Sequence, residues 1–347
     1  MSTTPGPQEQ KLTFRRYRDG DAKWDNWREQ IFQASWTHKC PTYVQSTPPC
    51  QGSCPAGEDI RGYLNIVRGI EKPPVGADGK PAMPWQEYAW RRLTEANPFP
   101  SVMGRVCPAP CETGCNRNEV EDHVGINSVE HFLGDYANAN GLAYKAPEAS
   151  TGKKVAVIGG GPAGLSCAYQ LRRMGHSVTI FDEHEHLGGM MRYGIPGFRT
   201  PRDVLDAEIQ RILDTGVEAR LKCRVGTDVT LEALRNEFDA VFLGMGAQSG
   251  RPLPAPGGDA PNVVTATAFL KAFNDGRLRH VGKRVVVIGG GDTSIDVATV
   301  ARRLGHIGHA KPTDFPEFQI AGHVAHDVAE VSVKQGAEVV LTSVFGV

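Results

Sequence analysis

The same glycine-rich turn occurs twice in this chain, each time where a strand would hand over to a helix. The first copy is Val155-Ala-Val-Ile-Gly-Gly-Gly-Pro-Ala-Gly164 and the second is Val285-Val-Val-Ile-Gly-Gly-Gly-Asp-Thr-Ser294. A single G-x-G-x-x-G is a weak signal, because glycine turns are common. Two copies, each after a four-residue β-branched or small apolar run and before a helix-like stretch, point to an α/β fold with two nucleotide-binding units. The glycines permit a tight turn, and the free N–H groups of the helix N-terminus face a pyrophosphate. Candidate contacts are Gly159, Gly161, Pro162, Ala163 and Gly164 in the first unit, and Gly289, Gly291, Asp292, Thr293 and Ser294 in the second. Ser294 stands where a third glycine is usual, and a small residue there still allows close helix–strand packing. Two dinucleotide sites in one chain imply a hydride passed from one to the other.

In the first unit, Val155–Ile158 reads as a buried parallel strand, 162–174 as its helix with Gly175 as C-cap, and Ser177–Phe181 as a second strand. Asp182 closes that strand about twenty residues past the turn, where an acid can accept a ribose hydroxyl; a merely exposed strand-end acid is the alternative. A further strand, Ala240–Leu243, ends in Gly244-Met-Gly-Ala247, and Val285 opens the second unit.

The chain has 347 residues, enough for two or three domains. Its net charge of −1 gives no reason to expect nucleic acid or an anionic membrane as partner. The start, Met1 to Gln10, has no apolar signal-peptide core, and no apolar stretch approaches a membrane span, so a cytoplasmic protein is expected. Six of the eight cysteines lie between residues 40 and 115: Cys40, Cys50, Cys54, Cys107, Cys111 and Cys115. Cytoplasmic cysteines rarely form disulfides, so the clustering points to a metal or iron–sulfur centre. C-x3-C pairs also suit structural zinc, the alternative on spacing alone. Around them the periodicity predicts a helix with Ile60, Leu64 and Val67 on one face, following Cys54-Pro55. A second starts at Pro84 and carries Trp85, Tyr88 and Ala89 on one side. A third covers 126–136, with Val129, Phe132, Leu133 and Tyr136 buried. Residues 145–154 have linker composition. The histidines, His184, His186 and His323 among them, show no metal-site spacing and are expected to be solvated or locally hydrogen-bonded.

The run Gly188-Gly-Met-Met-Arg-Tyr-Gly-Ile-Pro-Gly-Phe198 after the first fingerprint resembles the flavin-site signature of the glutamate synthase small-subunit family. The cysteine segment, first unit, Gly-Ala strand and second fingerprint also follow that family's order, so the resemblance covers nearly the whole chain. It implies a helical iron–sulfur domain followed by two Rossmann-like units, with FAD at the first and NAD(P)H at the second. The expected boundaries are 1–150, 151–275 and 276–347, the last unit being truncated relative to the family. The resemblance adds Gly188, Gly189, Met190, Arg192, Gly246 and Ala247 to the cofactor contacts. Disulfide reductases carry a redox cysteine pair after the first βαβ unit; Leu187 to Phe198 has none. Cys167 and Cys223 are therefore expected to be small apolar core residues.

The family's ligand pattern, carried over, gives Cys54, Cys107 and Cys111 to one [4Fe-4S] cluster, with Glu130 in Ile126-Asn-Ser-Val-Glu-His-Phe132 as fourth ligand. A solvated helix residue is the alternative for Glu130. Cys40, Cys50 and Cys115 remain for another cluster, but Tyr43 stands where its fourth cysteine should be; that centre has a non-cysteine ligand, an open iron, or is absent. The implied activity is an NAD(P)H:acceptor oxidoreductase subunit, with no side chain needed as acid or base. A non-catalytic iron–sulfur relay or assembly module is the alternative, as is a glutamate synthase small subunit proper. The opening with Lys23-Trp-Asp-Asn-Trp27 looks most like flavoproteins associated with dissimilatory sulfite reductase. The expected partner is a redox protein: ferredoxin, a sulfite-reductase-type enzyme or another large subunit, with a homodimer also compatible. The region Leu341–Phe345 carries no arginine to meet a 2′-phosphate, which favours NADH.

Overall fold

The computed structural model describes residues 47–120, 124–147, 149–307, 333–335 and 338–342. Cys40, Tyr43, His323 and the segment 308–332 lie outside the described residues. The order of elements begins with six helices: α1 (Pro49–Ser53), α2 (Ile60–Val67), α3 (Trp85–Leu93), α4 (Pro100–Val106), α5 (Pro110–Thr113) and α6 (Ile126–Ala139). Proline opens α1, α4 and α5, where its missing N–H costs nothing. Asp59 caps α2 by accepting from Gly62 N at 3.0 Å, so that helix starts at Ile60 and not at Cys54-Pro55.

The buried faces differ from those predicted. In α2 it is Ile60, Tyr63 and Ile66, with Leu64 and Val67 half-buried. In α3 it is Ala89, Trp90 and Leu93; Trp85 is exposed. The Trp90 ring stacks on Tyr144 at 5.2 Å, and that contact sets the rotation of the helix. In α6 the buried stripe is Ile126, Glu130, Leu133, Gly134 and Ala137, while Phe132 is exposed. This is a clean i, i+4, i+7, i+8, i+11 stripe containing a glutamate and a glycine, and an apolar-only pattern misses it by one residue. The glycines bring α4 and α6 into backbone contact. A Cβ on Gly104 would sit 2.5 Å from His131 Cα, and one on Gly134 would overlap Ser101 N.

The nucleotide units follow as β1 (Lys154–Ile158), α7 (Pro162–Arg173), β2 (Ser177–Phe181), α8 (Met190–Tyr193), α9 (Arg202–Leu213), β3 (Glu218–Arg220), α10 (Leu231–Glu237) and β4 (Ala240–Leu243). These strands form a parallel sheet in the order β3-β2-β1-β4, with Val155 opposite both Val178 and Ala240. Side chains of β1 alternate between two cores, as a parallel strand covered on both faces must. Val157 joins Leu165, Ile180 and the helical head; Ala156 and Ile158 join Phe181, Leu234 and Phe238. Cys167 and Cys223 are half-buried against these cores. The first core runs without a break from Ile60 and Trp90 of the head into Leu165, Tyr169 and Ile212.

After β4 comes α11 (Ala266–Asn274), whose Phe269 and Leu270 pack into the core of the second unit, and then that unit's own β5 (His280–Gly282), β6 (Arg284–Ile288), α12 (Asp292–Arg303), β7 (Gly305–Ile307), β8 (Val333–Gln335) and β9 (Glu338–Thr342). β6 pairs in parallel with β9, Val287 opposite Leu341, while β5, β7 and β8 form a separate small sheet. β9 thus lies directly beside the second fingerprint strand.

Candidate functional site: two glycine turns and a thiol–carboxylate group

The first turn is built from backbone hydrogen bonds and close approaches that its glycines permit. Gly159, at φ +102°, donates to Phe181 O at 2.8 Å, ending β1 against β2. A Cβ on Gly164 would overlap the Gly159 carbonyl, so a third glycine is needed for packing. Gly161 differs: a Cβ there would meet only Gly189 Cα, at 3.6 Å. The space in front of Gly161 is therefore open, and it lies at the N-terminus of α7, where Ala163 and Gly164 present N–H groups without helical acceptors. That cradle fits the pyrophosphate of a dinucleotide. The segment Gly188-Gly189 closes one side, Gly188 N donating to Gly160 O at 2.8 Å. Gly189, at φ +49°, brings its backbone so near Gly161 that a Cβ would lie 2.6 Å from Gly161 Cα.

Asp182 lies at the end of β2, buried. Oδ2 accepts from Gly160 N at 2.6 Å and Oδ1 from His184 N at 2.8 Å, with His184 Nδ1 at 2.9 Å. The acid thus holds the glycine turn itself, whatever further contact it makes to a ribose. His184 is locally bonded and packs on the Tyr193 ring; His186 exchanges backbone hydrogen bonds with the Tyr193 hydroxyl. Met190 and Arg192 lie on α8, with Arg192 donating to Leu187 O at 2.6 Å and paired with Asp206. Gly246 and Ala247 are exposed just past β4.

The second turn repeats the open cradle: a Cβ on Gly290 or Gly291 would meet nothing within 4 Å. Gly291 caps α12, whose first residues are Asp292, Thr293 and Ser294. A Cβ on Gly289 would lie 2.5 Å from Ser294 Oγ, so the serine fills the space above the first glycine.

The head sorts its cysteines in two groups. Cys54 caps α1, Cys107 caps α4 and Cys111 lies in α5; the field at Cys107 includes Glu130 and Cys54, and that at Cys111 includes Cys107 and Cys54. Cys50 feels Cys115 instead. All five are free thiols. Burial pushes the Cys107 thiol up and that of Cys111 up to about 12, so without a cation both stay protonated. Among the described residues, no three His, Cys, Asp or Glu side chains gather closely enough to hold a single metal ion. Glu130 is buried, not solvated. Its Oε1 accepts from Asn97 Nδ2 at 2.7 Å, and the same amide donates to buried Glu58 Oε1 at 3.0 Å. Burial first, then the neighbouring Glu58 and Glu208 carboxylates, raise the Glu130 carboxyl well above the usual range. A buried carboxylate beside thiols that lack a countercharge is a donor set suited to a cationic iron–sulfur core.

Sequence reading missed three members of this arrangement: Asn97, Glu58 and Glu208. Asn97 lies in an Asn-Pro dipeptide that reads as punctuation, and Glu58 follows Cys54-Pro-Ala-Gly as if in a polar loop. Glu208 lies on α9, more than a hundred residues along the chain from the helix end it meets, and is fully buried.

No helix among the described residues is long and apolar enough to cross a membrane. A family model described as dihydropyrimidine dehydrogenase domain II, 4Fe-4S cluster, matches residues 28–142. Another, pyridine nucleotide-disulphide oxidoreductase, matches residues 153–344. The small chain of glutamate synthase [NADPH] from Mycobacterium tuberculosis is 38% identical over 75% of this chain and 53% of its own length. The beta subunit of NADPH-Fe(3+) oxidoreductase from Geobacter sulfurreducens is 38% identical over 75% of this chain and 37% of its own. Glutamate synthase [NADH] from Schizosaccharomyces pombe is 41% identical over 75% of this chain and 12% of its own. The chain thus spans about half or less of the curated relatives it matches. With its iron–sulfur head, its two glycine turns and a family match over more than half its length, this chain belongs to the pyridine nucleotide-disulphide oxidoreductase family, in a branch like the glutamate synthase small chain.

Proposed function

We propose that this chain is the NAD(P)H-dependent, FAD- and iron–sulfur-containing electron-transfer part of a redox assembly. It would pass electrons from NAD(P)H to a partner enzyme subunit or a ferredoxin-like acceptor. The observation that carries this reading is the joining of an open pyrophosphate cradle at Gly161 and a buried thiol–carboxylate group by one continuous hydrophobic core. A bound flavin supplies the conversion of an electron pair into single electrons, which nicotinamide cannot provide and clusters require. The chain's own residues bind and orient. Gly159, Gly161 and the N-terminus of α7 receive a pyrophosphate, Gly188 and Gly189 wall the site, and Asp182 fixes the turn. Gly289 to Ser294 do the same for the nicotinamide nucleotide. Cys54, Cys107, Cys111 and Glu130 hold one cluster, and Cys50 and Cys115, with Cys40 from outside the described residues, are assigned to a second. The unit boundaries are taken at 150 and 275.

NADH is the favoured donor. Thr342, beside Ile288 at the end of the fingerprint strand, is followed by Ser343, Val344 and Phe345, and none of these four carries the positive charge that would compensate a 2′-phosphate. The test is anaerobic dye reduction by the purified, cluster-loaded chain, with its absorption spectrum recorded before and after NADH. Flavin absorbance that NADH bleaches, with dye reduced catalytically, supports the reading. A brown chain with no flavin and no dye reduction identifies an iron–sulfur relay instead.

A further inference from the structure

The segment from Gly188 to Arg202 is attached at both ends to nucleotide machinery. Its first residues are built into the first glycine turn through Gly188 and Gly189. Its later residues hold the second unit. Asn274 of α11 donates to Tyr193 O at 3.0 Å and accepts from Arg202 at 2.9 Å, and Lys271 Nζ lies 4.1 Å from the centre of the Tyr193 ring. Farther along, Arg199 Nη1 donates to Asp296 Oδ2 on α12 at 2.7 Å, and the Arg303 guanidinium lies 3.9 Å from the centre of the Phe198 ring. The Arg199–Asp296 pair joins residues 97 positions apart in sequence.

Its setting is unusual for an ion pair between units. The Asp296 side chain is 9% exposed and that of Arg199 32%, so both charges have lost much of their water. Apolar side chains of similar volume would hold two surfaces together at least as well, because desolvation offsets much of a buried pair's attraction. What a hydrogen-bonded pair adds is a preferred geometry. Asp296 is also free of the local duties that would otherwise explain it: Gly291 is the N-cap of α12, and the glycine turn is complete by Ser294.

We propose that Arg199 and Asp296 are a positioning pair. They set the orientation of the nicotinamide unit on the flavin unit, so that a nucleotide held at the second turn is presented in one alignment. This rests on the cofactor assignment of the preceding subsection. The second turn is made from its own unit's residues, 289–294, so turning that unit as a body leaves nucleotide affinity intact. The transfer itself, in which the flavin gains the hydride the nicotinamide loses, depends steeply on the distance and angle between the reacting atoms.

The test uses the full 347-residue chain in four forms: the parent, Arg199→Gln, Asp296→Asn, and the reciprocal Arg199→Asp/Asp296→Arg. FAD content, NAD+ affinity by titration, and the rate of flavin reduction by saturating NADH in rapid mixing are read separately. Each single variant keeps parental FAD content and NAD+ affinity while flavin reduction slows about 10- to 100-fold, in line with the cost of a small misplacement. The reciprocal variant recovers most of that loss. Urea unfolding of the cofactor-free chain supplies a second readout, with Arg199→Gln/Asp296→Asn added to complete a cycle in which the two neutralisations are expected to be non-additive. Flavin reduction at the parental rate in the single variants, or a loss confined to NAD+ affinity, overturns the pair's role. A parent that binds no FAD contradicts the cofactor assignment instead; the unfolding cycle then decides alone, and strict additivity overturns the pair.

Discussion

Glu208 accepts a hydrogen bond from the backbone N–H of Ser101 at 2.7 Å, and its other oxygen accepts from Val102 N at 3.0 Å. A carboxylate on α9 of the flavin unit thereby caps the N-terminus of α4, whose own N-cap, Phe99, has no side chain able to do so. Cys107 closes the other end of the same helix. Beside this cap, Arg211 donates to Leu142 O at 2.6 Å and to Asn138 Oδ1 at 2.7 Å while lying over the Trp90 and Tyr144 rings. The head and the flavin unit are therefore locked through polar as well as apolar contacts.

This lock has a pH signature. Burial pushes the Glu208 carboxyl up to about 7 from an ordinary 4.5, against the lowering effects of Ser101, Val102 and Arg211. A raised pKa means that the folded chain binds this proton more tightly than the unfolded one. The contribution is full below about 4.5 and is lost as pH rises through about 7, about 3 kcal/mol in all. Urea unfolding of the cofactor-free chain across that window should show the loss. In Glu208→Gln the dependence should flatten because the amide does not titrate, while stability below the window falls by about 1–3 kcal/mol, because one backbone N–H then faces an amide NH2.

Two glycines of one turn should fail in different ways. Gly164→Ala forces a Cβ into the Gly159 carbonyl, so thermal stability falls together with flavin content. In Gly161→Val the added Cβ meets only Gly189 Cα, at 3.6 Å, so the cofactor-free chain should melt within a few degrees of the parent while FAD content drops to near zero and iron is retained. Full flavin occupancy in Gly161→Val would place the cofactor elsewhere.

Cys54→Ser, Cys107→Ser and Cys111→Ser should each remove the same cluster, read as about one cluster's worth of iron and acid-labile sulfide and the same paramagnetic signal. Asn97→Ala leaves those thiols in place but deprives Glu130 and Glu58 of their shared donor. It should shift that signal without abolishing it. Three different losses from the three cysteine variants would break the grouping.

Donor choice follows from Thr342 and the three residues after it. The expected result is a higher kcat/KM with NADH than with NADPH in dye reduction. A clear NADPH preference would require a cation from elsewhere to meet the phosphate. Arg302, exposed at the end of α12, is the first to substitute; Arg303 is engaged on Phe198.

Much of the nucleotide half was legible because its pattern is local. The limits of β2 and β4 agree with the strands read from the apolar runs Ser177–Phe181 and Ala240–Leu243. The head was harder. Its helices bury Glu130, Gly134 and Gly104, so hydrophobic periodicity pointed to Phe132, and the close α4–α6 crossing was invisible. Polar residues that act across long sequence separations leave no local mark: Glu208 reaches Ser101 over 107 positions and Asn97 reaches Glu130 over 33. Asp182 was read as a ribose ligand from its place at the end of the second strand, about twenty residues past the turn, but its carboxylate also bonds the turn beneath it.

The most direct measurement is paramagnetic resonance of the cluster-loaded chain, frozen after anaerobic addition of NADH alone, with flavin, iron and sulfide determined on the same sample. Electron passage from nicotinamide through flavin to the head predicts bound FAD and a reduced-cluster signal that appears with NADH and disappears in Gly161→Val. A flavin that NADH reduces while the cluster stays silent, or stoichiometric zinc without sulfide, would contradict it.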